Sequence, residues 1–260
     1  MKNQNLKLIF VFITLLGLAF PSFADQLNNM QNMILNNTDM GLEDCAADYV
    51  KCADNVKASD KAALIQELKS LEESKQKELM NIAIKGGKVK AVGVFIEAEI
   101  LPDSASLILA NDKIIKKIRE NLMLEDKCIL VNNAIEENND NLRVLQKTLE
   151  LFTPQEFSEN CSMAVLVDNY KQNIAATLLK YVGGETDNLR AYMNNGKQIS
   201  LLAYNVLSKI TGGDFSKSLE TFLISNGADM EQELYPGSGR TLQELLEIYE
   251  ENGEKPLNLY

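Results

Sequence analysis

From Leu79 onward the chain never sustains an apolar helical pattern for more than about three turns before glycine, asparagine or proline interrupts it. A helix that short is marginal alone in water and buries only one narrow face. Pairs of such helices must stack on further pairs to hide their apolar sides. The interruptions fall at Gly86-Gly87, Pro102-Asp103, 137–140, Thr153-Pro154, Gly183-Gly184, Asn194-Asn195-Gly196 and Asn226-Gly227. Between them the pattern predicts helix pairs: 79–87 with 89–97, 106–110 with 113–122, and 128–136 with 141–152. Pairs at 162–170 with 173–182 and at 199–209 with 215–225 follow, and 241–251 opens a last, truncated one. Residues 189–193 read as a helix end or a hairpin. A helical segment precedes the pairs, with one helix over 42–56. A second is capped by Ser59 and carries the stripe Leu64, Leu68, Leu71 and Leu79. The expected fold is all-α.

The first residues bear on location. Lys2 and Lys7 precede an almost wholly apolar run from Leu8 to Phe20, and Ser22-Phe23-Ala24 offers small residues at −3 and −1. This is the pattern of a secretory signal peptide over 1–24. The run is too short for a span of roughly 20 apolar residues, and no later stretch is long enough, so no stable membrane insertion is expected after cleavage. The formal net charge is −11, and removing a leader with two lysines and no acid leaves −13. Nucleic acid and anionic membranes repel such a chain, whereas a basic protein surface attracts it. The expected location is the periplasm or the medium.

Cys45, Cys52, Cys128 and Cys161 make an even count, which in an exported chain suggests disulfides. Three connectivities are open, with neighbour pairing slightly favoured. Against it, one helix through Cys45, Tyr49, Cys52 and Val56 would hold the first two cysteines about 10 Å apart, too far to bridge. Either that helix breaks between them or both cysteines reach elsewhere. Zinc is disfavoured by zero histidine and no CxxC.

No catalytic constellation stands out. Without histidine, Ser-His, Cys-His and His-metal chemistry are all closed. There is no phosphate loop, dinucleotide fingerprint or nucleophile elbow. The adjacent carboxylates Glu136-Glu137 and Glu250-Glu251 would point apart on a helix. Neither a catalytic residue nor a metal or other cofactor is expected.

The stretch 196–253 carries the most specific pattern. Leu219, Phe222 and Leu223 run into Asn226-Gly227-Ala228-Asp229, a polar excursion follows, and Gly239-Arg240-Thr241-Leu242 opens a new helix. This resembles the ankyrin repeat, most clearly over 197–252 and more weakly over 79–192, where Ala83-Ile84-Lys85-Gly86 precedes an apolar helix. The family's Thr-Pro-Leu-His is missing, and the spacing is irregular against a period of about 33 residues. The resemblance implies a degenerate ankyrin-like helical-hairpin solenoid over 79–260, behind an N-terminal helical segment over 25–78. It also implies a binding scaffold that works through loop tips and one helix face. The tips fall near Asp103, near Glu185 and Asp187, and over 231–236.

The acidic load is densest at the C-terminal end, where Glu231, Glu233, Glu244 and Glu247 surround Tyr235 and Tyr249. Tyrosines among carboxylates suit a basic partner, with aromatics anchoring and acids steering. The expected function is therefore an exported, non-enzymatic protein-binding scaffold. Its sharpest form is a periplasmic immunity protein that blocks a toxic, lipase-like effector, such as one delivered by type VI secretion. The alternatives are an envelope scaffold or chaperone-like holder, or a secreted virulence factor that engages a host protein.

Overall fold

The computed structural model describes residues 45, 48–137, 141–193 and 195–257. The expected leader at 1–24 lies outside them. The helices are α1 (Tyr49–Asn55), α2 (Lys61–Ser70), α3 (Glu73–Lys85), α4 (Val89–Glu97), α5 (Asp112–Asn121), α6 (Leu124–Glu136) and α7 (Leu142–Leu149). They continue as α8 (Pro154–Asn160), α9 (Val165–Asp168), α10 (Gln172–Tyr181), α11 (Leu201–Thr211), α12 (Lys217–Ser225) and α13 (Leu242–Glu251). A 3-10 helix spans Ser104–Leu109, and a shorter one Thr186–Asn188. The strands β1 (Arg190–Tyr192) and β2 (Gln198–Ser200) pair antiparallel, with Ala191 opposite Ile199. The chain is mostly helical, as expected, and 189–193 takes the hairpin form.

One helix organises the N-terminal half. In α4, Ala91 to Ile96 are six consecutive buried residues. A helix apolar on every side must be covered on every side, and α1, α2, α3 and α5 all pack against it. Lys61–Glu97 at 2.6 Å and Lys88–Asp54 at 3.3 Å tie its two ends to α2 and α1. The N-terminal segment is thus part of the same core rather than a separate unit. Helix α3 begins at Glu73 and crosses the expected 78/79 boundary without a break. The break lies at Leu71, whose backbone turns extended after α2.

The first helix starts later than the sequence suggests. Asp48 accepts a hydrogen bond from the Lys51 amide and caps α1 at Tyr49. Cys45 therefore precedes the helix, which removes the objection to a local bridge. Cys45–Cys52 and Cys128–Cys161 are the two disulfides, each with Cα atoms 5.3 Å apart, and no cysteine is free. The second joins α6 to the end of α8.

Two further departures concern signals of double meaning. Thr153-Pro154 ends one helical stretch, as expected, but also begins α8. The Thr153 hydroxyl accepts from the Glu156 amide, the Glu156 carboxylate accepts from the Thr153 amide, and Pro154 occupies the first turn. Over 106–110 the expected α-helix is instead the 3-10 segment, braced by Asp103 at its N-cap.

Contacts link elements close in order. Helix α3 touches the 3-10 segment, which touches α6, which touches α9; α7 touches α10, and α11 touches α13. Polar links reinforce this. The Tyr181 hydroxyl sits 2.9 Å from the carbonyls of Leu149 and Phe152, joining α10 to the end of α7. Phe157 packs edge-on against both Phe152 and Tyr181, with centroids 5.6 and 5.7 Å away. Buried Asn205 of α11 donates to the Ser216 carbonyl and accepts from its amide, fixing the turn into α12.

Removing Cys128–Cys161, which spans 33 residues, should cost about 4 kcal/mol, against about 2 kcal/mol for the 7-residue Cys45–Cys52 link. Denaturant titration of the paired Cys→Ser variants should show that order. Burial also pushes the Tyr181 hydroxyl up to about 12, against about 10 unfolded. The unfolded chain then releases this proton first, so stability should fall between about pH 10 and 12. Tyr181→Phe should remove that slope while lowering stability at neutral pH, both readable by chemical denaturation.

Candidate partner-binding surface

The C-terminal half carries two projecting hairpins that feed helices in the same way. In the first, the Leu201 amide donates to the Leu189 carbonyl at 2.8 Å, and Ser200 caps α11 through the Ala203 amide. In the second, the Leu242 amide donates to the Gln232 carbonyl at 3.0 Å, and Thr241 caps α13 through the Glu244 amide. Leu201 and Leu242 are both fully buried at the root. Glu233 and Thr241 form the second hairpin's bridge.

The hairpins are latched to each other and to α8. Tyr192 donates its hydroxyl to the Glu159 carbonyl at 3.1 Å, and the Gln198 amide group reaches the carbonyls of Ser158 and Glu159. Between hairpins, the hydroxyl of Ser200 donates to Gln232 at 2.9 Å. The Lys197 ammonium lies 3.8 Å from the centre of the Tyr235 ring. A cation over a ring face is attracted by its quadrupole.

This arrangement assigns local work to most of the residues that the sequence marks for partner contact. Asp103 accepts from the Ala105 amide at 3.0 Å. Glu185 accepts from the Asn188 side chain at 3.4 Å, and the Asp187 carbonyl from the Arg190 guanidinium at 3.0 Å. Glu233 accepts from the Gly237 amide at 2.7 Å and closes the second hairpin's tip. Glu244 completes the capping box of α13, and Glu247 accepts from Gln243 at 2.9 Å. Glu231 is exposed on the same tip as Glu233. Tyr235 and Tyr249 are half-buried against the core, and Lys209 approaches Tyr249 to 6.0 Å.

The surface that geometry assembles is therefore Glu231, Glu233 and Tyr235 on one tip, with Lys197 and Tyr192 on the other. Asp103 lies far off in the chain, beside α3 and α6. Lys197, Gln198, Ser200 and Gln232 were not legible as a set, because each is an ordinary polar residue whose partner lies across a hairpin. The chain matches no protein-family model, no curated protein and no solved structure. Among the described residues no helix is long and apolar enough to cross a membrane.

Tyr235→Ala should release Lys197 and loosen the hairpin pair. Hydrogen exchange should quicken over 195–200 and 232–238 while α6 and α7 stay protected, at a stability cost of about 1 kcal/mol.

Proposed function

We propose that this chain is an exported, non-enzymatic protein-binding scaffold, built as an ankyrin-like stack of helix hairpins. One observation carries the reading: 189–201 and 232–242 each form a hairpin that hands over to a Ser- or Thr-capped helix, and the second packs on the first. A unit repeated with its neighbour contacts is what a stack requires. Neighbour packing from α3 through the 3-10 segment to α6 and α9 supports the same arrangement. Rigid hairpin tips on a stacked base present side chains with little ordering cost on binding. The two disulfides are in keeping with export to an oxidising compartment.

In its sharpest form the scaffold is a periplasmic immunity protein that blocks a toxic effector by covering it. The support is the acidic balance of the chain, −11 overall, which favours a basic partner, and the cysteine pairing. The partner meets the Glu231–Tyr235 tip and the facing hairpin.

The full chain, tagged at its C-terminus and expressed in its native cells, should appear in the periplasm starting at Asp25, without free thiols and with a basic protein bound. Recovery as an uncleaved cytosolic thiol form, or without any bound protein, would end the reading. Reversing Glu231 and Glu233 to Lys should slow association with that partner roughly tenfold at low salt and flatten its salt dependence. Stopped-flow mixing measures both.

A further inference from the structure

A second surface is formed within the N-terminal half of the chain. A groove of about 530 Å³ runs between the first turns of α3, the 99–104 loop and the outer side of α6. That is within the size range of sites that hold small ligands or a few side chains. Its lining is mixed polar and apolar, the apolar part including half-buried Leu101 and Ile129, which is 44% exposed. Its rim carries Glu73, Glu99, Asp103 and Glu137 against a single lysine, Lys77. The lining therefore sets four carboxylates against one ammonium beside an exposed aliphatic side chain.

The rim is short of cations. Lys77 is bonded to Glu73 at 2.7 Å, and its ammonium is held above its usual value by that bond and further by Glu137 and Asp103. Lys69 reaches in from α2 to Glu99, also at 2.7 Å. Next to the groove, the Asp126 carboxyl is raised by burial and then by the charges of Glu125 and Glu99. Asp103 accepts from the Ala105 amide, and among the described residues no lysine is bonded to Asp103 or Glu137.

Glu99 also offers a substitution that spares the fold. It ends α4 in the left-handed region, at φ 61°, where the end of α12 uses Gly227 at φ 99°. Its amide donates to Ile96 and the next amide to Phe95, which is the bonding of a glycine-type helix stop. A side chain there is unfavourable relative to glycine. The exposed pair with Lys69 offsets little of that. Glu254 takes the same conformation, at φ 57°, so Glu99 marks a position where glycine is the easier residue and its replacement benign.

We infer that this groove docks a segment of a partner protein in which lysine or arginine alternates with aliphatic residues. The cations meet Glu99, Asp103 and Glu137, and an aliphatic side chain covers Ile129 and Leu101. The chain's own 25–44 stretch is excluded as occupant by charge, since it holds four acids and no base. This inference rests on the scaffold reading for its partner class but uses a surface separate from the hairpin tips.

The test uses the full mature chain and a labelled, acetylated Lys-Leu-Lys-Leu-Lys peptide, with Glu-Leu-Glu-Leu-Glu as counterpart, followed by fluorescence polarisation. Glu99→Gly with Glu137→Gln alters the groove, and Glu250→Gln with Glu251→Gln makes an equal charge change on α13. The basic peptide should bind the wild type and weaken with salt. It should lose at least about tenfold in the groove variant and little in the α13 variant. The groove variant should melt no lower than wild type, because Glu99→Gly relieves the left-handed residue, so misfolding would not account for the loss. No peptide binding, equal loss in both variants, or no loss in the groove variant would overturn the inference. So would a wild-type dimer, seen by sedimentation, that the groove variant abolishes, since the occupant would then be a second copy. If the groove variant still captures the native partner with full affinity, the groove assignment fails and the scaffold stands. If the wild type captures no partner, the scaffold reading fails instead.

Discussion

The structure depends on covering α4. Six buried residues in a row leave only the ends of that helix, at Lys90 and Glu97, to water, and α1, α2, α3 and α5 are each held by their contact with it. None of these neighbours is long enough to be stable in isolation. The apolar face of each is buried only because the next element arrives. The same dependence passes along the chain through the 3-10 segment, α6 and α9, and returns at α11, which touches both α12 and α13. A single apolar core from Cys45 to Leu246 is the consequence.

Polar groups then decide where each short helix stops. Thr153, Ser200, Ser216 and Thr241 accept from backbone amides at helix starts, and Glu156 and Glu244 complete two of these caps. Asp48, Asp103 and Glu233 likewise accept from backbone amides at a cap or turn. An acid that closes a turn still contributes its charge to the surrounding field. Glu233 therefore both shapes the hairpin tip and belongs to its charge. The two roles are separable by amide substitution, which keeps an acceptor while removing the charge.

Two surfaces follow from this architecture, and they differ in chemistry. The hairpin pair is cross-linked by polar contacts, and its aromatic residue is already engaged by Lys197. The groove between α3 and α6 is a recess of mixed polar and apolar lining with more carboxylates than cations. A partner that used both would meet the chain at two points, and linking two weak contacts raises affinity without any new one.

Much of the fold was legible in the chain itself. Apolar periodicity and its interruptions determined the helical class, most helix positions and the C-terminal unit at 199–225, because those signals are local. Local signals also determined the even pairing of cysteines as an expectation. Tertiary structure decided what depends on neighbours far apart in sequence. It placed Asp48, not an earlier residue, at the start of α1, so that Cys45 could turn back to Cys52. It made Thr153-Pro154 a start as well as a stop. It gave 106–110 a 3-10 conformation between α3 and α6. It laid Lys197 on Tyr235, and it brought Glu73, Glu99, Asp103 and Glu137 around one recess. No periodicity marks such sets, because a hairpin tip or a groove is assembled from residues whose spacing in the chain is set by the turns between them.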